Sequence, residues 1–287
     1  MSAPNTSAKG NVHPPPFQPM FERATGPPAE ALLSQCGILD SSTTNTPLRV
    51  YDGACGTGVV GSLLYKSAAL EGRSLNVMCG DISPLMVEAV NKRIADEGWK
   101  GAEGKVIDAQ DTKLSPGFTH SFVNFAIQFL PDPLAGLREC HRVLVPGGAI
   151  AFSCWKHVGW HDWMKLAISR VPGAPPLPPI TEIFPKNGNW EEPSWVQQQL
   201  EDLGFENCRV ELLDFAAPMD NAKMFVEGFK VMIPMVISRW DEKDRVQYAP
   251  LIAPELEKFL EEQYGKDTAF SMRMVAVLST AIKPSKE

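Results

Sequence analysis

The sequence has no apolar run approaching the roughly eighteen residues of a membrane span, and no basic segment leading into an apolar one near its start. Neither a membrane partner nor a secretory signal is therefore expected, and a cytoplasmic location is. A cationic surplus is missing too: 27 Lys and Arg stand against 34 Asp and Glu, a net charge of −7. A nucleic-acid partner calls for a basic patch, so none is expected. The six cysteines, at 36, 55, 79, 140, 154 and 208, include no close pair. That excludes a disulfide framework and a zinc site; reduced, buried thiols and no metal are expected. No internal repeat is found. What remains is 44% hydrophobic and 21% charged over 287 residues, enough to bury a sizeable core as one domain with an appended lid. None of this fixes the oligomeric state.

Residues 1–19 are polar and proline-rich and read as a flexible arm before a single domain at 20–287. A helix pattern follows in Ala29, Leu32, Leu33 and Cys36, and then a polar loop from Ser41 to Pro47. From Leu48 onward, strands alternate with helices. Strands are expected at Leu48–Tyr51, Leu75–Cys79, Lys105–Ile107, Phe118–Phe125 and Ala149–Cys154. Ser83 suits an N-cap with Pro84 in the first helical position after it. After Trp155 the pattern changes. An aromatic-rich helical stretch reaches Ile168, and six prolines crowd 172–185. Later come helices at Trp195–Leu203, Asn221–Trp240 (broken or kinked at Pro234) and Glu255–Tyr264, with strands at Cys208–Phe215 and Met272–Ile282. The expected fold is α/β: a Rossmann-like, seven-stranded, mostly parallel sheet with helices on both faces, closed by a reversed hairpin. The core spans about 47–154, and lid insertions at about 155–194 and 218–265 cover the ligand edge.

Ligands of such sheets bind at the carboxyl ends of the strands. Four elements fall there: Asp52-Gly53-Ala54-Cys55-Gly56-Thr57-Gly58, Asp81, Asp108 and Asn124. The turn has small residues that let backbone N–H groups approach a ligand. It lacks both the G-x-G-x-x-G dinucleotide spacing and the Gly-Lys-Ser/Thr ending of a phosphate loop. A cofactor without phosphate fits instead, and S-adenosylmethionine is one. Asp52 would face its ammonium, Asp81 its ribose hydroxyls and Asp108 its adenine amine, with Ile82 and Met86 against the adenine face. An acidic rim suits a cationic sulfonium and opposes a pyrophosphate.

These residues, with Arg142-Val143-Leu144-Val145-Pro146-Gly147-Gly148, resemble the class I S-adenosylmethionine-dependent methyltransferases over roughly 47–154. Ala54 stands where the family has its first glycine. Thr119 stands where an aspartate is usual, so no catalytic acid carries over there. A closer likeness covers most of the chain. FERATG at 21–26, EGW at 97–99, DAQDT at 108–112, FTH at 118–120, LREC at 137–140, Trp155, Trp160, LGF at 203–205 and YG at 264–265 are similar to the fungal gliotoxin bis-thiomethyltransferase group. That resemblance implies a fungal enzyme that methylates thiols of small dithiol metabolites. The candidate cofactor set is Thr25, Asp52, Gly53, Ala54, Cys55, Gly56, Gly58, Asp81, Ile82, Met86, Asp108, Ala109 and Asn124. The candidate substrate walls are Phe21, Phe125, Gln128, Trp155, Trp160 and Met232.

Methyl transfer from a sulfonium is an in-line displacement and chiefly a positioning task. A thiol ionises at about 8.5 and needs no strong base, whereas a hydroxyl or ammonium acceptor does. His157 and His161, four apart on one expected helix face, are the candidate bases, and Gln128 is a candidate to orient a polar group. The small-molecule acceptor atom stays open at this stage among sulfur, oxygen and nitrogen. So does a regulatory or non-methylating protein that keeps the fold and the cofactor.

Overall fold

The computed structural model describes residues 18–40, 47–184 and 187–285. Most of the expected arm and of the Ser41–Pro47 loop lies outside them. Gln18 and Pro19 are not arm: they open a helix, α1 (Gln18–Gln35). The alternation then proceeds as β1 (Leu48–Gly53), α2 (Val59–Lys66), β2 (Leu75–Asp81), α3 (Pro84–Glu97), β3 (Ala102–Val106), β4 (Phe118–Asn124), α4 (Pro133–Val143) and β5 (Leu144–Val158). Val50 and Tyr51 are wholly enclosed, as a strand covered on both faces requires. At the start of α3 the Ser83 hydroxyl accepts the Met86 N–H at 3.4 Å with Pro84 in the first turn, and a left-handed Gly98 closes the helix.

The seven strands run in the order β3-β2-β1-β4-β5-β7-β6, where β6 is Glu206–Met219 and β7 is Phe270–Ile282. The first five strands pair in parallel, and β7 is antiparallel to both of its neighbours. This is the expected reversed hairpin. Strand order reverses between β1 and β4, the place where open α/β sheets bind ligands. One apolar cluster, with Leu32, Leu64 and Trp99, joins α1–α3 to the sheet; a second, with Leu137 and Leu200, holds α4 and α7 (Pro193–Asp202). A third gathers α5 (Gly159–Ser169), α8 (Ala222–Phe229), α9 (Ile233–Val236) and α10 (Glu242–Tyr264) around the far ends of the strands. No described helix is long and apolar enough to cross a membrane.

Three expectations need correction. Residues 155–158 are not helical: β5 continues to Val158, held by β7 through pairs such as His157 with Val275. His157 and His161 therefore share no helix face, and the lid insertion starts at Gly159. The Asn221–Trp240 helix is broken as expected, but ahead of Pro234, which sits in the first turn of the short α9, where its missing N–H costs nothing. Finally, α10 begins at Glu242 and runs through Pro250 and Pro254, because burial of Ile252, Ala253 and Leu256 outweighs the lost backbone bonds. Within the proline-rich stretch a short α6 (Ile180–Ile183) forms.

The turn after β1 carries Ala54, Gly56 and Gly58 at positive φ, of 51°, 54° and 83°. Its shape is fixed by Trp99, which lies stacked on Tyr65 and fills the space beside Gly58 and Gly61. A β-carbon on Gly58 would come within 2.7 Å of Val90 and 3.3 Å of Trp99, while one on Gly56 would meet nothing. Gly58→Ala is therefore expected to lose ~2–4 kcal/mol, from left-handed strain plus overpacking, and Gly56→Ala only ~1–2 kcal/mol. Urea unfolding of both variants checks the order.

Candidate active site

The parallel register sets Gly53 beside Gly80 and Asp81 beside Val106, so the turn, Asp81 and Asp108 share one edge of the sheet. Asp81 shapes this edge: its Oδ2 accepts the Gly56 N–H and its Oδ1 the Ser83 N–H, both at 2.9 Å. Asp108 Oδ1 accepts the Gln110 N–H at 2.8 Å. Ile82 is 67% exposed beside this edge, with Met86 half-buried and Ala109 buried. Thr119, by contrast, exchanges hydrogen bonds with the backbone of Arg49, lower in the sheet.

Asp52 differs from its neighbours. It is 1% exposed, and neither carboxyl oxygen has a hydrogen-bond partner of ordinary geometry among the described residues. Burial, with the charge of Asp81 added, pushes its pKa up to about 8; the Gly61 N–H in the first turn of α2 pulls weakly the other way. Such a group wants a cationic N–H donor. The thiols nearby are poor nucleophiles. A hydrogen bond with Cys79 and burial raise Cys55, burial raises Cys154, and all six cysteines are free.

Next to this edge, where β4 lies beside β1, is an apolar chamber of about 270 Å³. Phe21, Phe125, Trp155, Trp160 and Met232, five of the six expected substrate residues, line it together with Thr25 and Asn124. No described side chain around it is titratable. Its two polar residues are already engaged: Thr25 donates to Phe21 O at 2.9 Å, and Asn124 Nδ2 donates to Thr25 O at 3.2 Å. Asn124 Oδ1 accepts the Ser153 hydroxyl at 2.6 Å, and Ser153 Oγ accepts the Phe125 N–H at 3.0 Å. That chain holds Phe125 in the left-handed region at φ 55°, with its ring stacked 3.6 Å from the centre of Trp155.

The histidines are elsewhere. His157, His161 and Gln128 line a separate, more polar cleft of about 550 Å³, which shares Trp155 and Phe184 with the chamber. His161 Nε2 is 3.0 Å from Pro178 O, and His157 Nε2 lies 3.7 Å from Asp162.

Several residues of the chamber had no local signal in the sequence. Met20, Met272 and Met274 line it from α1 and β7. Ser153 was visible only as a lone hydroxyl inside the apolar run Ala149–Cys154. Arg93, on α3, was missed altogether. Its guanidinium reaches Glu22 Oε1 at 2.6 Å, Thr57 O at 3.1 Å, Ser62 Oγ at 2.9 Å and Glu97 Oε1 at 2.8 Å.

The profile of the Methyltransferase domain family matches residues 51–152. Among curated proteins, the methyltransferase tpcH of Aspergillus fumigatus is 36% identical over 89% of this chain and 91% of its own. The chain belongs to the S-adenosylmethionine-dependent methyltransferases. Acetylaranotin bis-thiomethyltransferase of Aspergillus terreus is 33% identical to this methyltransferase over 92% of each chain. Among solved structures, YcgJ of Bacillus subtilis shares the fold, with a TM-score of 0.51 and 13% identity over 88% of this methyltransferase and 98% of that chain. A structure described under the conversion of a disulfide bond into a thioacetal during echinomycin biosynthesis has the same TM-score, with 15% identity over 91% and 83%.

The cofactor of the methyltransferase is S-adenosylmethionine. The edge fits that group on its own chemistry: an unpartnered buried carboxyl can take the ammonium, the open-backbone turn admits close approach, and the acidic rim carries no phosphate-binding cation. Ser153→Ala would leave Asn124 Oδ1 without its donor and reduce the Phe125 N–H to its longer bond with Ser153 O at 3.2 Å. The expected loss is ~1–3 kcal/mol of stability, measured by denaturant unfolding, with a drop in turnover that Ser153→Thr restores in part.

Proposed function

We propose that this enzyme methylates the sulfur of a small, largely apolar thiol belonging to fungal secondary metabolism. The reading is carried by the chamber, which has aromatic and methionine walls, no titratable side chain among the described residues, and only indole N–H groups beside the engaged Thr25 and Asn124. Where the protein offers no base, the acceptor has to supply its own anion. A thiol does so at about 8.5, while a phenol needs about 10. The named activity of the acetylaranotin relative supports the same choice. O- and N-acceptors would need a base inside the chamber, and His157 and His161 line the neighbouring cleft.

The bound cofactor supplies a methyl group on a positively charged sulfur, open to in-line displacement. Everything else falls to the chain. Asp52 takes the ammonium, Asp81 the ribose hydroxyls while holding Gly56, and Asp108 the adenine amine. Thr25, Gly53, Ala54, Cys55, Gly58 and Ala109 give close backbone or small surfaces, and Ile82 and Met86 pack on the base. Phe125 and Trp155, locked as a stacked pair, form a flat wall against which the acceptor is aligned. Met20, Met232 and Met235 adapt to its outline and exclude water.

Two outcomes are expected. Offered benzyl mercaptan, phenol and benzylamine with labelled cofactor, the enzyme should label only the thiol. The midpoint of its pH–rate curve should move with the pKa of whichever thiol is supplied, in the wild type and in His157→Ala and His161→Ala alike. A midpoint that stays put across thiols would reveal a protein base and sink the proposal. Separately, affinity for S-adenosylhomocysteine should rise with pH up to about 8, by at most about tenfold per unit. Below that pH, Asp52 must release a proton to face the ammonium. Calorimetry in buffers of different ionisation enthalpy reads that proton, and Asp52→Asn should bind more weakly with no proton released.

A further inference from the structure

The apolar chamber, at about 270 Å³, lies below the ~300–1,000 Å³ usual for a site that encloses a whole drug-sized ligand. Beyond the indole N–H groups of Trp155 and Trp160 it gives such a ligand little that is polar to bond. The adjoining cleft has both properties the chamber lacks: about 550 Å³ of space and a polar lining. Trp155 and Phe184 line both spaces, so one molecule that reaches past these rings touches both.

Gln128 marks where the polar contact falls. Its side chain is 95% buried by residue exposure, at 5%, yet it lines the cleft. Its Oε1 accepts the Trp155 N–H, and because that backbone group can only donate, the orientation of the amide is fixed. The Nε2 is left with no partner among the described residues. Set in the wall of the cleft, it presents a donor of fixed direction to whatever fills that space. His161 is fixed in the same manner. Its Nε2 donates to Pro178 O, which can only accept, and this leaves the neutral ring with Nδ1 as an acceptor.

We infer that the cleft is a distal subsite for the same acceptor, built to hold an amide-bearing arm whose carbonyl oxygen accepts from Gln128. This rests on the thiol reading only in naming the other end of the molecule. The acceptor is then bipartite: an apolar thiol-bearing head in the chamber and a neutral carboxamide tail in the cleft. Lys156 on the cleft wall is already engaged by Glu191 O and Glu192 Oε1, and the side chains of Asp162 and Glu191 disfavour an anionic tail.

The test compares benzyl methyl sulfide with its para-substituted analogue carrying a carbonyl-glycinamide arm, by quenching of tryptophan emission in the cofactor-loaded enzyme. Both are already S-methylated, so binding is read without any transfer. Wild-type enzyme is expected to prefer the armed ligand by tenfold or more. Gln128→Glu keeps an oxygen for the Trp155 N–H but loses the donor, and the preference should fall to about one. Thr181→Trp, at the exposed rim of the cleft, should do the same by bulk, which covers the case of a Gln128 variant that does not fold. An armed ligand that binds the wild type no better, or a preference that survives both substitutions, overturns the subsite. If the preference behaves as stated but neither parent thiol is methylated, the subsite stands and the thiol reading falls.

Discussion

Arg93 is the junction on which the site depends. Its side chain is only 11% exposed, and burial alone would disfavour its charge. Glu22 and Glu97 outweigh that penalty and raise its pKa further. Four directions are fixed at once: α1 through Glu22, the cofactor turn through Thr57 O, α2 through Ser62 and its own helix through Glu97. The guanidinium also lies 5.5 Å over the ring of Trp99, which shapes that turn. α1, which lines the chamber, and the turn after β1 are thus referred to one cation.

A second chain runs the other way, from Ser153 through Asn124 to Thr25. It engages the amide and hydroxyl side chains of the chamber and holds Phe125 in a conformation that non-glycine residues avoid. The two networks meet on α1, through Glu22 and Thr25, which lie within one turn of each other. Polar chemistry here serves to place apolar surfaces, and the surfaces then do the aligning.

Much of the fold was legible from local rules. The alternation of strands and helices, the Ser83-Pro84 cap, the small-residue turn and the reversed hairpin follow from spacing and backbone preference alone. Half of the chamber was legible too, because Phe21 lies in FERATG, Phe125 ends the expected fourth strand and Trp155 follows the fifth. The remainder was not, for a physical reason. Met20 and Met274 meet only after the whole sheet is assembled, and nothing in either neighbourhood announces the other. His157 and His161 misled in the opposite way. A spacing of four means one face only on a helix, and hydrogen bonds from β7, over a hundred residues later, keep His157 in a strand.

That same strand has a mechanical consequence. β5 and β7 leave the central sheet and enter the lid without a break, paired from Ala149–Ile282 to Val158–Met274. Swinging the lid helices away from the sheet would tear this ladder, bond by bond. The first turns of α1 are joined to the rest by side chains instead, among them the ion pairs of Glu22 and Arg23 and the Asn124 amide on Thr25 O. The chamber is thus walled on one side by unbroken backbone pairing and on the other by side-chain packing and ion pairs.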